Sequence, residues 1–454
     1  MILSPGSTIA DLGSALRNGT ITSAALVDEC LAAIEEHEPA LNAFIAVLAD
    51  SARRQARTLD EELARGLDRG PLHGIPISLK DIIDLEGMPT TAASRLRSGH
   101  RAAADAPVTA RLRTAGAVFI GKCNLHELAF GTTGEESAYG PTRNPHAPAH
   151  VPGGSSSGSA VSVAAGMAWA SIGTDTGGSI RIPASACGVV GLKPTHGEVS
   201  TAGVVPLAPS LDHVGPITRS VGDAALLYRI LRDRPDDDDG DPAHTEEPPV
   251  DPRPRLGIPR RYFLDLLEPP VEDAFAGAAE RLRRAGWRID DVDIPHAADT
   301  APIYLHTQLA EAADCHRADL DGRPEACGRS VRLRLELGRY VLAEDYVRAQ
   351  RGRQVLTAEV DAALADRAAL LLPTLPVVPP RRGTESLTIG DVTATTRALT
   401  LRLTQLFDVT GHPAISVPCG TAGGLPAGVQ LAGRRRETER LLSLAAACED
   451  TLRG

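Results

Sequence analysis

The residues best suited to chemistry in this sequence are a serine in a glycine turn and a few lysines. Residues 173–181 read Gly-Thr-Asp-Thr-Gly-Gly-Ser-Ile-Arg, and the glycines before Ser179 would let backbone N–H groups converge, as an oxyanion hole requires. A serine nucleophile also needs a base. Only three of the 47 Lys and Arg residues are lysines, namely Lys80, Lys122 and Lys193. Because a buried lysine can be neutral whereas arginine stays charged, a lysine is the candidate base.

Each of these features also has a plainer explanation. The three lysines could be what remains after a general preference for arginine codons. A second stretch, residues 153–159, has the glycines of a phosphate-binding loop, but no Gly-Lys-Ser/Thr follows it, which disfavours nucleotide binding. A tight turn before a helix would explain these glycines, although not the many hydroxyl groups. His126, His316 and His412 lie in segments that we interpret as ordinary structure.

The elements that must position these residues follow an α/β pattern. From about residue 70, short apolar runs bounded by Gly and Pro alternate with helical segments. The run at residues 75–79 leads directly into Lys80, and a helix expected at about 107–114 precedes a short strand at 117–120. The pattern also predicts a helix from a cap at Thr22 to just before Pro39, and buried strands at residues 370–372, 414–417 and 428–431.

Composition and charge narrow the classes of function. The chain has 454 residues, 43% hydrophobic and 23% charged, which is typical of a globular protein with a large core. Its formal net charge of −11, without a basic stripe, argues against a nucleic-acid surface. The longest weakly polar stretch, residues 161–173, is too short to span a membrane, and the start lacks a secretory signal, so we expect a cytoplasmic protein. The seven cysteines are scattered, which predicts neither disulfides nor a metal site.

Several separated segments together resemble the amidase signature family. They are residues 74–81, 121–127, 152–156 and 173–195. Lys80 and Ser155 stand 75 positions apart, and Ser155 and Ser179 stand 24 apart, which are the separations expected between that family's lysine, relay serine and nucleophile. The resemblance covers residues 20–235, returns at 410–433 and is weak between.

The resemblance implies a mechanism. Neutral Lys80 would take a proton from Ser155, which would take the proton of Ser179 as Ser179 attacks an amide carbonyl. The peptide bond before Ser155 is expected to be cis. The backbone N–H groups of Thr176, Gly177, Gly178 and Ser179 would hold the developing oxyanion.

The neighbouring charged residues have weaker assignments. Asp175 and Arg181 are candidates for steadying the turn, although an ordinary structural ion pair explains them at least as well. Lys122 and Lys193 are interpreted as structural. Neither a metal nor a cofactor is implied.

The resemblance also implies the fold, a single large α/β domain with a mixed β-sheet core and helices on both faces. Within this amidase domain of residues 1–454, we expect the signature core at 20–235 and an exposed acidic, proline-rich loop at 233–255. Residues 256–402 would form a variable substrate-pocket region, and 403–454 would return to the core. The pocket itself is expected from residues 130–133 and from 304–382.

The function predicted first is an amidase that hydrolyses a small-molecule carboxamide or ureido amide, through an acyl-Ser179 intermediate, to a carboxylate and ammonia or an amine. Its expected partner is the small-molecule amide, with no nucleic acid, no membrane and a homodimer as an allowed assembly.

Two alternatives stay open. The first is the amidase subunit of a tRNA-dependent glutamine amidotransferase, which uses the same three residue types and passes ammonia to a partner bound to tRNA. That subunit typically has Asn-Met-Asp-Glu-Phe where residues 124–128 read Asn-Leu-His-Glu-Leu, and its Ala-Arg-Tyr-Asp-Gly segment has no counterpart at 312–317. The second is an inactive binding protein on the same scaffold, which the retained catalytic residue types disfavour.

Overall fold

An eleven-stranded sheet forms the centre of the structure, a computed structural model that describes residues 6–233 and 254–453. The strands of the described residues, including a separate two-stranded sheet of β10 and β11, are β1 Phe44–Val47, β2 Pro76–Lys80, β3 Val118–Cys123, β4 Ala170–Asp175, β5 Val190–Lys193, β6 His213–Thr218, β7 Arg255–Pro259, β8 Arg288–Val292, β9 Ala369–Pro373, β10 Ser386–Ile389, β11 Val392–Thr395, β12 Ala414–Ala422 and β13 Leu425–Ala432.

Helices connect these strands. They are α1 Ile9–Arg17, α2 Ser23–Leu41, α3 Ala49–Ala64, α4 Pro107–Thr114, α5 Ser157–Ala164, α6 Arg181–Cys187, α7 Val221–Leu231, α8 Pro269–Arg284, α9 Thr300–Cys315, α10 Arg317–Gly322, α11 Arg329–Gly338, α12 Ala343–Leu364, α13 Thr396–Leu401, α14 Gln405–Val409 and α15 Thr438–Arg453. Short 3₁₀ helices occur at Arg95–Arg97, Glu127–Ala129, Ala297–Asp299 and Pro324–Ala326.

The large sheet is mixed, with the strand order β1-β3-β2-β4-β6-β5-β12-β13-β9-β7-β8. Strand β2 is parallel to both of its neighbours, β3 and β4, and β7 is parallel to β8 and β9. The remaining pairs are antiparallel. Because β2 and β4 are parallel neighbours, their carboxyl ends lie at the same edge of the sheet.

Apolar residues cover both faces of this sheet. Along β9, Ala369 and Leu371 belong to one buried apolar cluster, whereas Leu370 and Leu372 belong to a second one. Side chains alternate between the two faces of a strand, so the two clusters lie on opposite faces. This explains why the central strands are almost continuously apolar, as expected where helices pack on both faces. The predicted single α/β domain with a mixed sheet is confirmed.

Several local predictions can be compared with these elements. The helix expected at about 107–114 is α4, and the apolar run before Lys80 is β2. The helix capped by Thr22 is α2, but it continues past Pro39 to Leu41. The prediction that it ends before Pro39 is therefore wrong. Pro39 lies in the last turn, where its missing N–H removes at most one helical hydrogen bond.

The predicted acidic loop at 233–255 lies outside the described residues, except at its two ends. The division of the domain into residues 20–235, 256–402 and 403–454 stays a prediction. Among residues 6–233 and 254–453, no helix combines the length and apolar character needed to cross a membrane.

Candidate active site

Two parallel strands bring the candidate base into the interior. Lys80 is the last residue of β2, and Thr174 lies near the end of the adjacent strand β4. The Lys80 Nζ donates hydrogen bonds of 2.7 Å to both the Ser155 Oγ and the Thr174 Oγ1. The Lys80 side chain is fully buried. The predicted base and the predicted relay serine are therefore in direct contact.

The surroundings of Lys80 favour its neutral form. Burial lowers the pKa of Lys80 to about 7, although the negative charges of Asp175 and Asp212 raise it. Within the described part of the chain, no carboxylate forms an ion pair with Lys80. Its hydrogen-bond acceptors are two neutral hydroxyl groups, which accommodate a neutral amine as well as a charged one. A large fraction of Lys80 is thus able to accept a proton near neutral pH.

The two candidate serines lie on adjoining turns, each followed by a helix. The peptide bond between Gly154 and Ser155 is cis, as the resemblance implies. The backbone N–H of Ser156 donates to the carbonyl oxygen of Ser179 at 3.2 Å, which ties the two turns together. Ser155 is fully buried, whereas Ser179 is 6% exposed. Ser179 is therefore the more accessible of the two serines.

The turn before Ser179 is organised by Asp175, the last residue of β4. Its carboxylate accepts hydrogen bonds from the backbone N–H groups of Gly178 at 2.6 Å and Ile180 at 3.1 Å. The Gly178 N–H, one of the four predicted oxyanion donors, is thus already engaged. For the N–H groups of Thr176, Gly177 and Ser179, we find no protein acceptor among the described residues. These three groups remain available to a developing oxyanion.

Arg181 stabilises this turn through its contacts with Asp175. Its Nε and Nη2 donate to the two oxygens of Asp175 at 3.0 Å each, and Nη2 also donates to Asp408 at 2.6 Å. Its Nη1 donates to the Thr404 carbonyl at 2.9 Å and the Gln430 Oε1 at 2.6 Å. These five bonds use all five guanidinium donors. Asp175 and Arg181 therefore form a buried pair that fixes the turn through the backbone.

The two carboxylates bound to Arg181 differ in their protonation. Burial raises the pKa of Asp175, but the charge and hydrogen bonds of Arg181 outweigh this and hold the pKa well below its usual range. Burial and the negative charge of Asp175 raise the pKa of Asp408 well above its usual range. Since two buried carboxylates share one arginine, the structure favours Asp175 as the ionised member.

One wall of the site contains an arginine without an acidic partner. The Tyr304 hydroxyl lies so close to Gly177 that a Cβ there would stand 2.3 Å from the hydroxyl oxygen. Gln308 donates to this hydroxyl, and the Arg397 Nη2 donates to the Gln308 Oε1 at 2.8 Å. The Arg397 guanidinium also lies 5.7 Å from the centre of the Phe130 ring. Among the described residues Arg397 forms no ion pair, and its buried Nε has no hydrogen-bond partner.

The other two lysines are buried as well. Lys122 lies 3.2 Å from Asp81, an ion pair that accounts for its burial. Lys193 donates to the His412 carbonyl at 2.6 Å, and burial lowers the pKa of Lys193 to about 7. The Lys193 Nζ is also 3.2 Å from the Nε2 of His213, a buried residue that the sequence did not single out. Neither lysine has a hydrogen bond to Ser155 or Ser179.

The sequence missed several residues that contact the site. Asp408 and Thr404 come from segments far along the chain, and no local pattern marks them. Tyr304 begins the stretch 304–382 from which the pocket is expected, although the sequence does not single out this residue. Thr174, in contrast, lies within the glycine-rich stretch 173–181, where its hydroxyl could have been considered. Among the residues described, no group of three or more His, Cys, Asp and Glu side chains could hold a metal ion.

Comparison with known proteins places this site in a family. The model of the family described as Amidase matches residues 25–442. A crystal structure of an amidase superposes with a TM-score of 0.92 at 36% identity, covering 98% of this chain and 99% of that chain. The chain therefore belongs to the amidase family, the amidase signature enzymes, which act on carbon–nitrogen bonds.

Two relatives point to a more specific kinship. The A subunit of the glutamyl-tRNA(Gln) amidotransferase of Chloroflexus aurantiacus (strain ATCC 29366 / DSM 635 / J-10-fl) is 40% identical over 468 residues, covering 96% of this chain and 94% of the relative. The crystal structure of the protein of the same name from Thermotoga maritima superposes with a TM-score of 0.75 at 34% identity. That match covers 96% of this chain and 93% of the other.

This kinship corrects two predictions. The expectation of a stand-alone amidase for a small-molecule carboxamide or ureido amide is wrong, because the relatives are subunits of an amidotransferase. The expectation of no nucleic-acid partner is wrong as well, because that enzyme is named for a tRNA substrate. The arguments against the amidotransferase subunit rested on residues 124–128 and 312–317, whereas the similarity extends over nearly the whole chain. A net charge of −11 describes one chain and does not exclude a partner protein that carries the tRNA contact.

Proposed function

We propose that this chain is the amidase subunit of a glutamyl-tRNA(Gln) amidotransferase, releasing ammonia from glutamine for a partner that holds the tRNA. The observation that carries the proposal is the similarity to subunits of that name over 94% and 93% of their lengths. The buried Lys80, which contacts Ser155, and the more accessible Ser179 support it by supplying the groups that amide hydrolysis needs.

In the proposed first half-reaction, neutral Lys80 takes the proton of Ser155 while Ser155 takes the proton of Ser179. The Ser179 oxygen attacks the side-chain carbonyl carbon of glutamine. The N–H groups of Thr176 and Gly177, together with that of Ser179, hold the oxyanion, and each such donor contributes about 3 kcal/mol to transition-state stabilisation. The tetrahedral intermediate then expels ammonia, which takes a proton returned through Ser155.

In the second half-reaction, water hydrolyses the ester between Ser179 and the glutamyl group. Lys80 accepts the proton of the attacking water through Ser155; when the tetrahedral intermediate collapses, the bond to the Ser179 oxygen breaks, this proton returns to that oxygen through Ser155, and glutamate leaves. The ammonia passes to the partner subunit. Lys80 therefore both accepts a proton and returns it, which requires a pKa near the working pH. The pKa of about 7 for Lys80 supports this role.

Glutamine carries a carboxylate in addition to its amide, and a side chain of opposite charge, Arg397, lies near the candidate active site. Arg397 donates a hydrogen bond to Gln308, which in turn donates to the Tyr304 hydroxyl beside the turn of Gly177. Its unused Nε and its lack of an acidic partner leave a donor for an anionic group. This arrangement supports a substrate that carries a negative charge at some distance from the scissile amide. A cytoplasmic location belongs to the same proposal, because aminoacyl-tRNA is used there.

The proposal is tested with the chain purified together with its partner subunits. We expect ammonia release from glutamine that increases when partners and glutamyl-tRNA are present, and conversion of glutamyl-tRNA to glutaminyl-tRNA. The matched control is the same complex with Ser179→Ala, which should assemble but release no ammonia. If other amides are hydrolysed faster than glutamine and the partners have no effect, the proposal is wrong.

A further inference from the structure

A second polar cavity lies away from the Lys80 side chain. Its volume is about 1100 Å³, and α12 forms one wall, facing the turn that joins β13 to α15. Residues 409–411, at the end of α14 and just after it, also line the cavity. None of the residues with a proposed catalytic role lines this cavity.

The walls of this cavity are predominantly basic. Four arginines line it, namely Arg353, Arg434, Arg435 and Arg436, against two carboxylates, Asp361 and Glu437. The whole chain carries a net charge of −11. The positive charge of the cavity is therefore a local feature rather than a consequence of a basic protein.

The two carboxylates offset only part of the positive charge of the four arginines. Asp361 is shared between Arg435, at 2.7 Å, and the Nε2 of His412, at 3.0 Å. Glu437 lies 3.7 Å from Arg434 and is shared with Arg440, at 3.5 Å, which is not a wall residue. Each carboxylate thus has a second cationic or polar neighbour.

The other two arginines have no carboxylate within ion-pair distance in the described part of the chain. Arg353 donates to the carbonyl oxygens of Val409 at 2.5 Å and Ser210 at 2.6 Å, so its position is fixed while its charge stays unpaired. Arg436 is exposed and has neither an ion pair nor a side-chain hydrogen bond among the described residues.

We propose that this cavity binds a phosphate group. Guanidinium groups bind phosphate through their N–H donors and their charge, and four arginines line this cavity. Neutral donors on the same walls, including Gln350, Gln354 and Thr357, suit the remaining oxygens and hydroxyl groups of a phosphorylated ligand. A single phosphate fills only a small part of the volume. The ligand is therefore a phosphorylated small molecule or a segment of nucleic-acid backbone, which share this chemistry.

The test measures binding without an amide substrate, so it does not depend on the proposed function. Pyrophosphate and an unacylated tRNA are titrated into the chain by calorimetry at low salt. The variant is Arg435→Gln with Arg436→Asn. Asparagine suits the second position because Arg436 has a φ of 64°, which asparagine adopts more readily than most residues. Arg284→Gln on α8 removes an exposed charge outside the cavity and serves as the matched control.

We expect saturable binding of pyrophosphate or tRNA that weakens at least about tenfold in the double variant and is unchanged in the control. Pyrophosphate binding without competition from tRNA would identify a free phosphorylated ligand, whereas tRNA binding lost in the double variant would identify a backbone phosphate. Either result supports the site. Absence of saturable binding by both probes, or equal affinity of the double variant and the control, overturns it. Thermal unfolding of each variant verifies that the fold is retained.

Discussion

Replacing Lys80 with arginine is expected to abolish ammonia release while the chain stays folded. Arginine keeps the positive charge and much of the length of lysine but does not release its proton at accessible pH. With a pKa of about 7, roughly 90% of Lys80 is neutral at pH 8, against roughly 0.3% at its ordinary pKa of 10.5. Burial therefore raises the concentration of the neutral base about 300-fold, whereas an arginine at this position supplies no neutral base. We expect a loss of at least about 10³-fold in kcat/KM.

The pH dependence of the unmodified chain tests the same reasoning. Below the pKa of Lys80, kcat/KM for ammonia release should fall about tenfold per pH unit, and it should level off above about pH 7 to 8. Covalent labelling of Ser179 by an acylating probe should follow the same curve, because it needs the same base. A flat profile between pH 6 and 8, or Lys80→Arg activity above about a tenth of normal, would refute the role of Lys80.

Lys80→Arg both removes the base and leaves a permanent charge in the interior. Lys80→Met removes the base without that charge, so it distinguishes the two effects. Its activity should be as low as that of the arginine variant, but its stability should differ. The pKa of Lys80 in the fold lies below its unfolded value, so the unfolded chain binds more protons between about pH 7 and 10.5, and stability rises with pH there. The unfolding free energy of the unmodified chain should therefore rise by about 3 kcal/mol relative to that of Lys80→Met between pH 6 and 9. Urea unfolding at both pH values measures this, and a constant difference would contradict the lowered pKa.

Variants at five further positions test the remaining parts of the site. Ser179→Ala should remove both turnover and covalent labelling without changing the melting temperature, and residual labelling would assign the nucleophile elsewhere. Gly177→Ala should reduce kcat by 10²-fold or more, because its Cβ would stand 2.3 Å from the Tyr304 hydroxyl oxygen, and Tyr304→Phe should restore part of it. Asp175→Asn should cost about 3 to 5 kcal/mol of stability in urea unfolding, whereas Asp408→Asn should cost clearly less, since its raised pKa favours the neutral form. Equal costs would contradict that difference in protonation.

The parts of the site that could be predicted are those in which short-range sequence determines position. The apolar run before Lys80 forms a buried strand because its side chains fit a sheet covered on both faces. The glycines before Ser179 mark a turn in which the backbone itself is the functional group. The contact between Lys80 and Ser155 was implied by the resemblance of separated motifs to the amidase signature family.

The residues that could not be predicted reach the site through long-range packing. Asp408 lies 227 positions from the arginine that it contacts, and nothing around it in the sequence distinguishes it from a surface aspartate. Tyr304 lies in the stretch 304–382 expected to form the pocket, but its contact with Gly177 depends on how its helix packs against α11 and α12. The end of α2 was misjudged for a smaller reason, because a proline in the last turn costs little where few helical bonds remain.

The burial of all three lysines has a practical consequence for chemical modification. Because Lys80, Lys122 and Lys193 are each at most 1% exposed, no lysine amine reaches the surface of this protein. Amine-reactive dyes and lysine-directed cross-linkers should leave its side chains unmodified in the native state. Contacts with the proposed partner subunits therefore have to be mapped with reagents for carboxylates or arginines. Conversely, any lysine labelling that does occur would report opening of the interior, and at Lys80 it would report opening of the site itself.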